Sequence, residues 1–289
     1  MNDIASIRSF RGFFQLFWHF TVKQASACIF GICLLIAMIG TRMIWQADWG
    51  LARYDALLLI AIALQIFFLL TGIESWEEAR VILLFHLTGT AMEIFKVYAG
   101  SWSYPDPSIV RIFDVPLFSG FMYAAVGSYM ARVVRLFDME MVPFPPMSLH
   151  FTLAVLVYVN FFSHHYTIDI RLGLFIATVL IYGRTNIWFR VRRRWLWMPL
   201  PFAAFLSSFF LWIAENIGTA TGTWLYSGQN VFDLVSFAKM GSWYLLLYVS
   251  FATVTLVVKV TPDPGTEKHP ARAWETTPSP AAPKRKLRE

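Results

Sequence analysis

The chain has 289 residues, of which 57% are hydrophobic, 17% aromatic and only 15% charged, and its mean hydropathy is +0.54. A soluble domain of this length is much less apolar, so the composition excludes an ordinary soluble globular protein and indicates a polytopic membrane protein. The formal net charge of +6 does not indicate nucleic-acid binding, because the basic residues lie mostly at the ends of apolar segments, where they set membrane orientation.

The N-terminal segment, residues 1–24, combines aromatic and basic side chains. Phe10, Phe13, Phe14 and Phe17 recur at helical spacing, with basic residues on other faces. This pattern predicts either an amphipathic helix in the membrane interface or a cytoplasmic extension of the first span.

Eight segments of roughly 20 mostly apolar residues follow, each about long enough to cross a hydrocarbon core. They are 26–46, 55–73, 79–99, 115–137, 147–163, 168–187, 196–216 and 237–258. The sequence therefore predicts an all-α membrane domain of eight transmembrane helices within residues 25–260. The last segment, 261–289, is rich in Pro and charge and is predicted to be a disordered cytoplasmic tail.

Basic residues predict the orientation of these helices. They are dense before span one, after span four and between spans six and seven, which places those three regions in the cytoplasm together with both termini. Fewer lie on the other side, namely Arg42, Arg53, Lys96, Arg111, Arg171 and Lys239. One loop opposes the assignment, because residues 74–78 are acidic although they would be cytoplasmic. Acidic residues contribute little to the orientation rule, so the assignment is kept.

A twelve-residue pattern occurs twice. One copy, EIFKVYAGSWSY, begins at Glu93, and the other, ENIGTATGTWLY, begins at Glu215, 122 positions later. Glu, Gly, Ser or Thr, Trp and Tyr have the same spacing in both copies. Because the copies lie on spans three and seven, we predict a parallel tandem repeat of four helices, with halves at about 25–140 and 141–260.

Glu93 and Glu215 are the strongest candidates for catalysis. A carboxylate inside an apolar span costs several kcal/mol unless it has a partner, so such residues usually serve a function. If the two halves pack face to face, the carboxylates meet in a shared dry cavity, one holding a proton while the other stays ionised. The sequence therefore predicts a general acid and a general base.

Two polar residues share the helix of Glu93. His86 lies seven residues earlier on the same face, which predicts either a catalytic proton relay or a core histidine. Lys96 lies one turn later and is predicted either to pair with Glu93 or to extend to the outer interface, where it would help to bind substrate.

Aromatic residues follow each carboxylate where the helices should leave the membrane. An interfacial belt accounts for Trp102, Tyr104, Trp224 and Tyr226 as aromatic residues but not for their identical spacing to a buried Glu, so a lined substrate entrance is favoured. Asp114 and Asp233 follow the two patterns and are predicted to cap spans four and eight, with a role at the site as the alternative.

The sequence predicts no metal site and no cofactor. His164 and His165 with Asp169 invite comparison with membrane di-iron oxygenases, but those need many histidine ligands on several helices, whereas this chain has six histidines in all. Phosphate-binding loops, nucleophile elbows and CxxC motifs are not found in the sequence. The expected partners are the lipid bilayer and a hydrophobic small molecule, and not nucleic acid.

Two resemblances add to this interpretation. The stretch from His86 to Phe137 is similar to the signature region of an uncharacterised family of bacterial integral membrane proteins, which implies an inner-membrane location across the eight spans. Glu215, Gly218 and Thr221-Gly222 resemble the Glu-x-x-Gly-x-x-Thr-Gly motif of membrane carotenoid hydratases, which act on isoprenoid double bonds by acid chemistry. The first copy departs from that motif at Lys96 and Ala99.

Three hypotheses follow. The first is an enzyme that protonates or isomerises an isoprenoid-like lipid and has a lateral opening to the bilayer. The second is a proton- or cation-coupled transporter or channel, with a polar path reaching both sides. The third is a structural membrane protein in which each Glu only ties helices together. The enzyme is slightly favoured.

Overall fold

The computed structural model describes residues 10–46 and 48–258, so the predicted tail 261–289 and the first nine residues of the N-terminal segment lie outside the described residues. The described chain is mostly helical, as predicted. Its helices are α1 (Phe10–Ala27), α2 (Ile29–Ile44), α3 (Arg53–Leu70), α4 (Trp76–Tyr98), α5 (Ser119–Leu136), α6 (Met147–Ser163), α7 (Arg171–Tyr182), α8 (Leu200–Ala220) and α9 (Phe237–Thr255). Its strands are β1 (Trp102–Ser103), β2 (Arg111–Ile112), β3 (Val115–Pro116), β4 (Glu140–Val142), β5 (Asn186–Val191), β6 (Arg194–Pro199) and β7 (Leu225–Tyr226).

The described residues contain three helices that are long and apolar enough to cross a membrane: α3, α4 and α8. A fourth span results if α1 and α2, which meet at a bend of 69°, are taken together. These helices are compatible with a membrane protein, but they do not support eight transmembrane helices.

The prediction fails most clearly at the sixth and seventh spans. The segment 168–187 forms only the twelve-residue helix α7 and then enters β5, and residues 196–199 belong to β6. These strands pair with β4 in a three-stranded antiparallel sheet in the order β4-β5-β6. Short apolar runs in strands and in helices look alike to a hydropathy window, which explains the error.

Helix α1 lies across one end of the bundle. The Phe20 ring packs against the rings of Phe137 and Phe189 at centroid distances of 5.6 and 5.9 Å. Lys23 Nζ donates to the carbonyl oxygens of Leu136 and Arg190 at 2.7 and 2.9 Å. Phe13, Phe14 and Phe17, nearer the start of α1, are each more than half exposed. The first part of α1 therefore presents the exposed aromatic side chains that an interfacial helix needs, and its depth in a membrane stays a prediction.

The acidic loop at residues 74–78 is paired with basic residues of α5. Glu74 is buried and accepts hydrogen bonds from Ser128 Oγ and Gln65 Nε2 at 2.6 Å each. Glu78 completes a capping box with Ser75 and forms an ion pair with Arg135 at 2.7 Å. The loop therefore lies at the same end of the bundle as the end of α5, and its membrane side stays a prediction.

The two most closely packed helices are α4 and α5, which approach through glycines. A Cβ added at Gly89 would lie 2.5 Å from Tyr123 Cβ, and one at Gly127 would lie 2.7 Å from the Phe85 ring. Small residues at such contacts allow helix backbones to pack tightly in a membrane. This contact matters for the site described below, because Tyr123 and Glu93 lie on the two helices that it joins.

We expect Gly89→Ala to destabilise the protein by about 1–3 kcal/mol, since the added methyl group must displace Tyr123. Gly40→Ala in α2 is the matched control, because nothing lies within 4 Å of a Cβ added there and alanine is the better helix former. The apparent melting temperature of each variant in detergent checks this. A Gly89→Ala variant as stable as Gly40→Ala would contradict the packing.

Candidate active site

The helices that carry the two patterns end in the same turn. Gly100 and Gly222 have φ values of +70° and +62°, in the left-handed region that favours glycine. The Ser101 amide donates to the Lys96 carbonyl at 2.9 Å, and the Thr223 amide donates to the Gly218 carbonyl at 3.0 Å. The Gly100 and Gly222 amides donate to the carbonyls three residues earlier. These two pairs of bonds form Schellman motifs at the ends of α4 and α8. The repeated Gly-Ser/Thr pair is thus a helix C-terminus.

After the two turns, the segments that follow α4 and α8 pair with each other. Strands β1 and β7 pair antiparallel, with Trp102 opposite Tyr226 and Ser103 opposite Leu225. The rings of Trp102 and Tyr226 are in contact edge to face, with centroids 5.8 Å apart. Segments that are 122 residues apart in sequence therefore form one structure, and equivalent positions 103 and 225 face each other at its centre.

Glu93 is buried, with 2% of its surface exposed, and is surrounded by aromatic donors. Its Oε2 accepts hydrogen bonds from Trp102 Nε1 and from the Tyr104 hydroxyl, both at 2.7 Å. Its Oε1 accepts a bond from the Tyr123 hydroxyl at 2.8 Å. Trp102 and Tyr104, the aromatic residues whose positions recur in the second copy, therefore both bind the carboxylate of Glu93.

Glu215 has an equivalent environment. It is 8% exposed and accepts a hydrogen bond from the Tyr226 hydroxyl, and the indoles of Trp243 and Trp224 also hydrogen-bond to it. The ammonium group of Lys239 lies close enough for its charge to act on this carboxylate. Glu215 therefore has a cationic neighbour in addition to its aromatic donors.

The two carboxyl groups are close enough for the charge of one to act on the other. Tyr123 is close to both groups, because it donates to Glu93 and the charge of Glu215 acts on its hydroxyl. Its ring packs against Trp243 at a centroid distance of 6.2 Å. The sequence did not reveal Tyr123 or Trp243, because neither belongs to the repeated pattern and each reaches the site from another helix.

The tyrosines in the loops remain protonated donors. Burial, together with the neighbouring Glu93, raises the pKa of Tyr104 well above its usual value. Burial and the neighbouring Glu215 do the same to the pKa of Tyr226. Each phenol therefore keeps its proton at physiological pH and can donate it in a hydrogen bond.

Both carboxylates line a cavity of about 1110 Å³, slightly above the usual range of about 300–1,000 Å³ for small-molecule sites. Aliphatic and aromatic side chains of α1, α2, α5, α8 and α9 form most of its wall. Five of these wall residues, in α1, α2 and α8, are exposed, namely Phe17, Ile32, Leu206, Phe210 and Ile213. The exposed part of the wall is therefore apolar on the side formed by these helices.

Lys96 does not pair with Glu93 or extend to the surface. It is 3% exposed, and its Nζ donates to the Phe161 carbonyl at 2.7 Å and lies 2.8 Å from His165 Nε2. The second pattern has Gly218 here, and a Cβ at that position would lie 1.9 Å from the Trp224 ring. The two copies differ at this point because one holds a buried cation where the other holds an indole.

Three predicted site residues lie outside the cavity wall. The His86 ring packs on Phe121 at 4.5 Å and against the backbone of α5, so no contact links it to Glu93 as a relay. Asp114 and Asp233 are exposed. Their predicted capping role is wrong, because α5 and α9 begin after Phe118 and Ser236 without a side-chain cap.

The histidine pair is held by other contacts. His164 Nδ1 lies 2.9 Å from the Asn160 carbonyl, and Asp169 forms an ion pair with Arg171 at 2.6 Å. The Arg171 hydrogen bond lowers the pKa of Asp169 to about 2. Within residues 10–46 and 48–258 no group of three or more His, Cys, Asp or Glu side chains is arranged to hold a metal.

A buried arginine fixes the paired strands to α3. Arg53 is 5% exposed and forms an ion pair with Asp106 at 2.7 Å, while its Nη2 reaches toward Gly222 and Thr223. The neighbouring Tyr54 hydroxyl donates to the Thr223 carbonyl at 2.8 Å. The loop after the first pattern and the turn of the second are thereby held together, which fixes the aromatic donors in place.

We expect Trp102→Phe to destabilise the protein by about 1–3 kcal/mol, because it removes a donor from a buried carboxylate. Trp76→Phe is the control, since Trp76 is 76% exposed and lies at the other end of α4. Apparent melting temperatures in detergent compare the two variants. Equal melting temperatures of the two variants would show that the hydrogen bond from Trp102 to Glu93 does not contribute to stability.

Comparison with known proteins agrees with a shared fold of unassigned activity. Residues 16–251 match the family described as Protein of unknown function (DUF817). The chain is 41% identical over 243 residues to the Uncharacterized protein YoaT of Bacillus subtilis (strain 168), covering 84% of this chain and 91% of that protein. No solved structure matches the chain. The match over most of its length shows that this chain belongs to the DUF817 family.

Proposed function

We propose that this protein is a multi-pass protein of the bacterial inner (plasma) membrane that performs acid–base chemistry on the double bonds of an apolar, isoprenoid-like lipid. The observation that carries the proposal is the pair of buried carboxyl groups, Glu93 and Glu215, in the wall of one large apolar cavity. Two such groups close together favour a state in which one is protonated and the other ionised.

The pairing of β1 with β7 supports a pseudo-two-fold relation between the halves. A two-fold axis maps position 103 onto 225, so it requires equivalent residues to face each other in an antiparallel pair, as Ser103 and Leu225 do. The matching Schellman turns agree with this relation. Both termini then lie on the cytoplasmic side, with the paired strands on the opposite side of the membrane.

The exposed apolar part of the wall supports a lipid substrate. The wall is apolar where it meets the surface between α2 and α8, so a hydrocarbon chain can enter without crossing water. The local likeness of Glu215, Gly218 and Thr221 to carotenoid hydratases favours an isoprenoid.

The charges assign a role to each carboxyl group. Lys239 stabilises the ionised form of Glu215, which makes Glu215 the base. Glu93 then holds the proton on Oε1, and its bond with Tyr123 reverses so that the tyrosine hydroxyl accepts. Its Oε2 keeps the bonds from Trp102 and Tyr104 in either state.

The reaction that fits this pair is a shift of a double bond. Glu93 gives its proton to one alkene carbon, which leaves a carbocation at the more substituted carbon. The ionised Glu215 carboxylate stabilises this cation electrostatically. Glu215 then removes a proton from the carbon on its other side, and the new double bond forms there. One proton is added and one removed, and Tyr123 returns the proton from Glu215 to Glu93.

The transporter alternative is less well supported. Among the described residues lining the cavity, those with full charges are Glu93, Lys96, Arg171, Glu215 and Lys239, and all lie at one end. The opposite end is lined by apolar residues such as Phe137, Met141 and Phe189, and the polar side chains there, such as Thr21 and Gln24, carry no charge. Ion- and proton-coupled carriers use ionisable groups along their path, and a purely structural role leaves the large cavity unexplained.

We expect Glu93→Gln and Glu215→Gln each to reduce turnover by about 10²–10⁴-fold, because each removes one half of the proton transfer. The measurement is untargeted lipid analysis of cells that express each variant, with ion uptake followed in the same cells. The substrate should accumulate in both variants, and ion uptake should not change.

Glu77→Gln is the control, since Glu77 is exposed at the start of the same helix. Altered ion flux with unchanged lipids in the two site variants would support a carrier instead. Unchanged lipids and fluxes at normal protein levels would leave only the structural role.

A further inference from the structure

A cluster of basic residues surrounds the mouth of the cavity beside the two carboxylates. We call this cluster the basic mouth and define it by Lys96, His165, Arg171 and Lys239, all of which line the cavity. They come from α4, the α6–α7 loop, the first residue of α7 and the first turn of α9. Lys239 acts on Glu215 in the acid–base step, and Arg171 is ion-paired with Asp169 at 2.6 Å, so Lys96 is the cation of this cluster that requires a separate explanation.

Lys96 lacks a matching negative charge. It is 3% exposed, and among the described residues its ammonium forms no ion pair with a carboxylate; its polar contacts are the Phe161 carbonyl and His165. The charges that act on it come from Lys239 and Arg171, and both are positive. A buried cation with cationic neighbours is costly unless an anion joins it, so this arrangement is suited to receive one.

Two further features favour an anion at the same place. Helix α9 begins at the basic mouth, and helix N-termini attract negative groups, whereas the first amide of α7 is already bonded to Asp169 Oδ1 at 3.0 Å. Lys239 Nζ lies 3.9 Å from the centre of the Tyr226 ring and 5.8 Å from that of Trp102, which holds the ammonium at the junction of the two patterns. The mouth therefore presents fixed positive charge directly above the apolar part of the cavity.

We propose that the substrate is an amphiphile whose anionic head group, a phosphate or a carboxylate, binds at the basic mouth while its isoprenoid-like tail fills the apolar cavity. This proposal rests on the proposed function and adds the chemical class of its substrate. The head group supplies the counter-charge that Lys96 lacks, and the tail enters through the exposed apolar part of the wall.

The test measures binding of four probes to the full chain in a neutral detergent: farnesyl monophosphate, farnesoic acid, farnesol and inorganic phosphate. Isothermal titration gives each Kd, and thermal shift confirms binding to the folded state. We expect at least one of the two anionic amphiphiles to bind more than about tenfold tighter than both farnesol and inorganic phosphate, with higher salt reducing the difference. The stronger of the two identifies the head group.

Variants of the mouth show where the head group binds. Lys239→Gln and Arg171→Gln should each raise the Kd of the anionic probe by about tenfold or more, since each removes one charge-assisted contact with the head group. The Kd of farnesol should not change. Arg111→Gln is the control, because Arg111 is exposed and does not line the cavity. Arg171→Gln, at a partly exposed side chain, serves if Lys239→Gln does not fold.

Equal affinity for farnesol and both anionic probes would overturn the proposal, and so would equal effects of the mouth variants and Arg111→Gln. Glu93→Gln and Glu215→Gln separate it from the proposed function, because they should retain the anionic probe while losing turnover. If the anionic probes bind no better than farnesol while the Glu variants still change the lipids, the substrate is neutral. If the anionic probes bind better but the Glu variants leave the lipids unchanged, the proposed acid–base chemistry is wrong.

Discussion

The structure depends on how two carboxyl groups are satisfied inside an apolar bundle. A buried Glu needs hydrogen-bond donors, and in both copies of the pattern aromatic side chains on the segment that follows the same helix donate to it. Seven residues separate Glu93 from Gly100, about 10.5 Å of helix. Only a sharp reversal followed by long side chains can bring a donor back over that distance, which explains why Gly, Trp and Tyr occur at fixed positions after each Glu.

The same constraint brings the two patterns together. Because Trp102 and Tyr226 each bond to a carboxylate and also pair across β1 and β7, the two donor sets are joined to each other. The two patterns then differ at one position. Lys96 adds a buried cation on one side, while Gly218 leaves room for the Trp224 indole on the other. This difference places a buried lysine beside one carboxylate pattern and an indole at the matching place in the other. The two environments are therefore not equivalent for a bound molecule.

The sequence predicted the pairing of Glu93 with Glu215 but not the full set of groups around them. The pairing followed from a repeated pattern, which is a local signal. Tyr123 and Trp243 come from other helices and carry no local signal. Lys239 was interpreted only as an indicator of orientation, because charge counting cannot distinguish a residue at the interface from one that folds back over an aromatic ring.

The extent of the apolar helices was the least predictable feature. Hydropathy located a helix near each predicted position, but it could not detect that the chain leaves the helix after Tyr182 and forms the β5–β6 hairpin. It also could not detect where α5 and α9 begin, because the chain before them is held by contacts with distant segments. Val110, for example, donates its amide to Asp55 at the start of α3. Such long-range bonds explain why Asp114 and Asp233 do not act as caps.

The position of Lys96 limits where chemistry can occur on a bound amphiphile. Lys96 follows Glu93 by three residues, about 4.5 Å along the helix axis. A head group held at Lys96 therefore places the first carbons of the tail beside Glu93, while carbons further along reach the apolar wall, which has no proton donor of comparable acidity. Because Glu215 lies near Glu93 in the cavity wall, the proposed reaction would take place on the isoprene unit next to the head group. In the proposed mechanism, the buried Lys96 therefore selects the double bond that the two carboxyl groups reach.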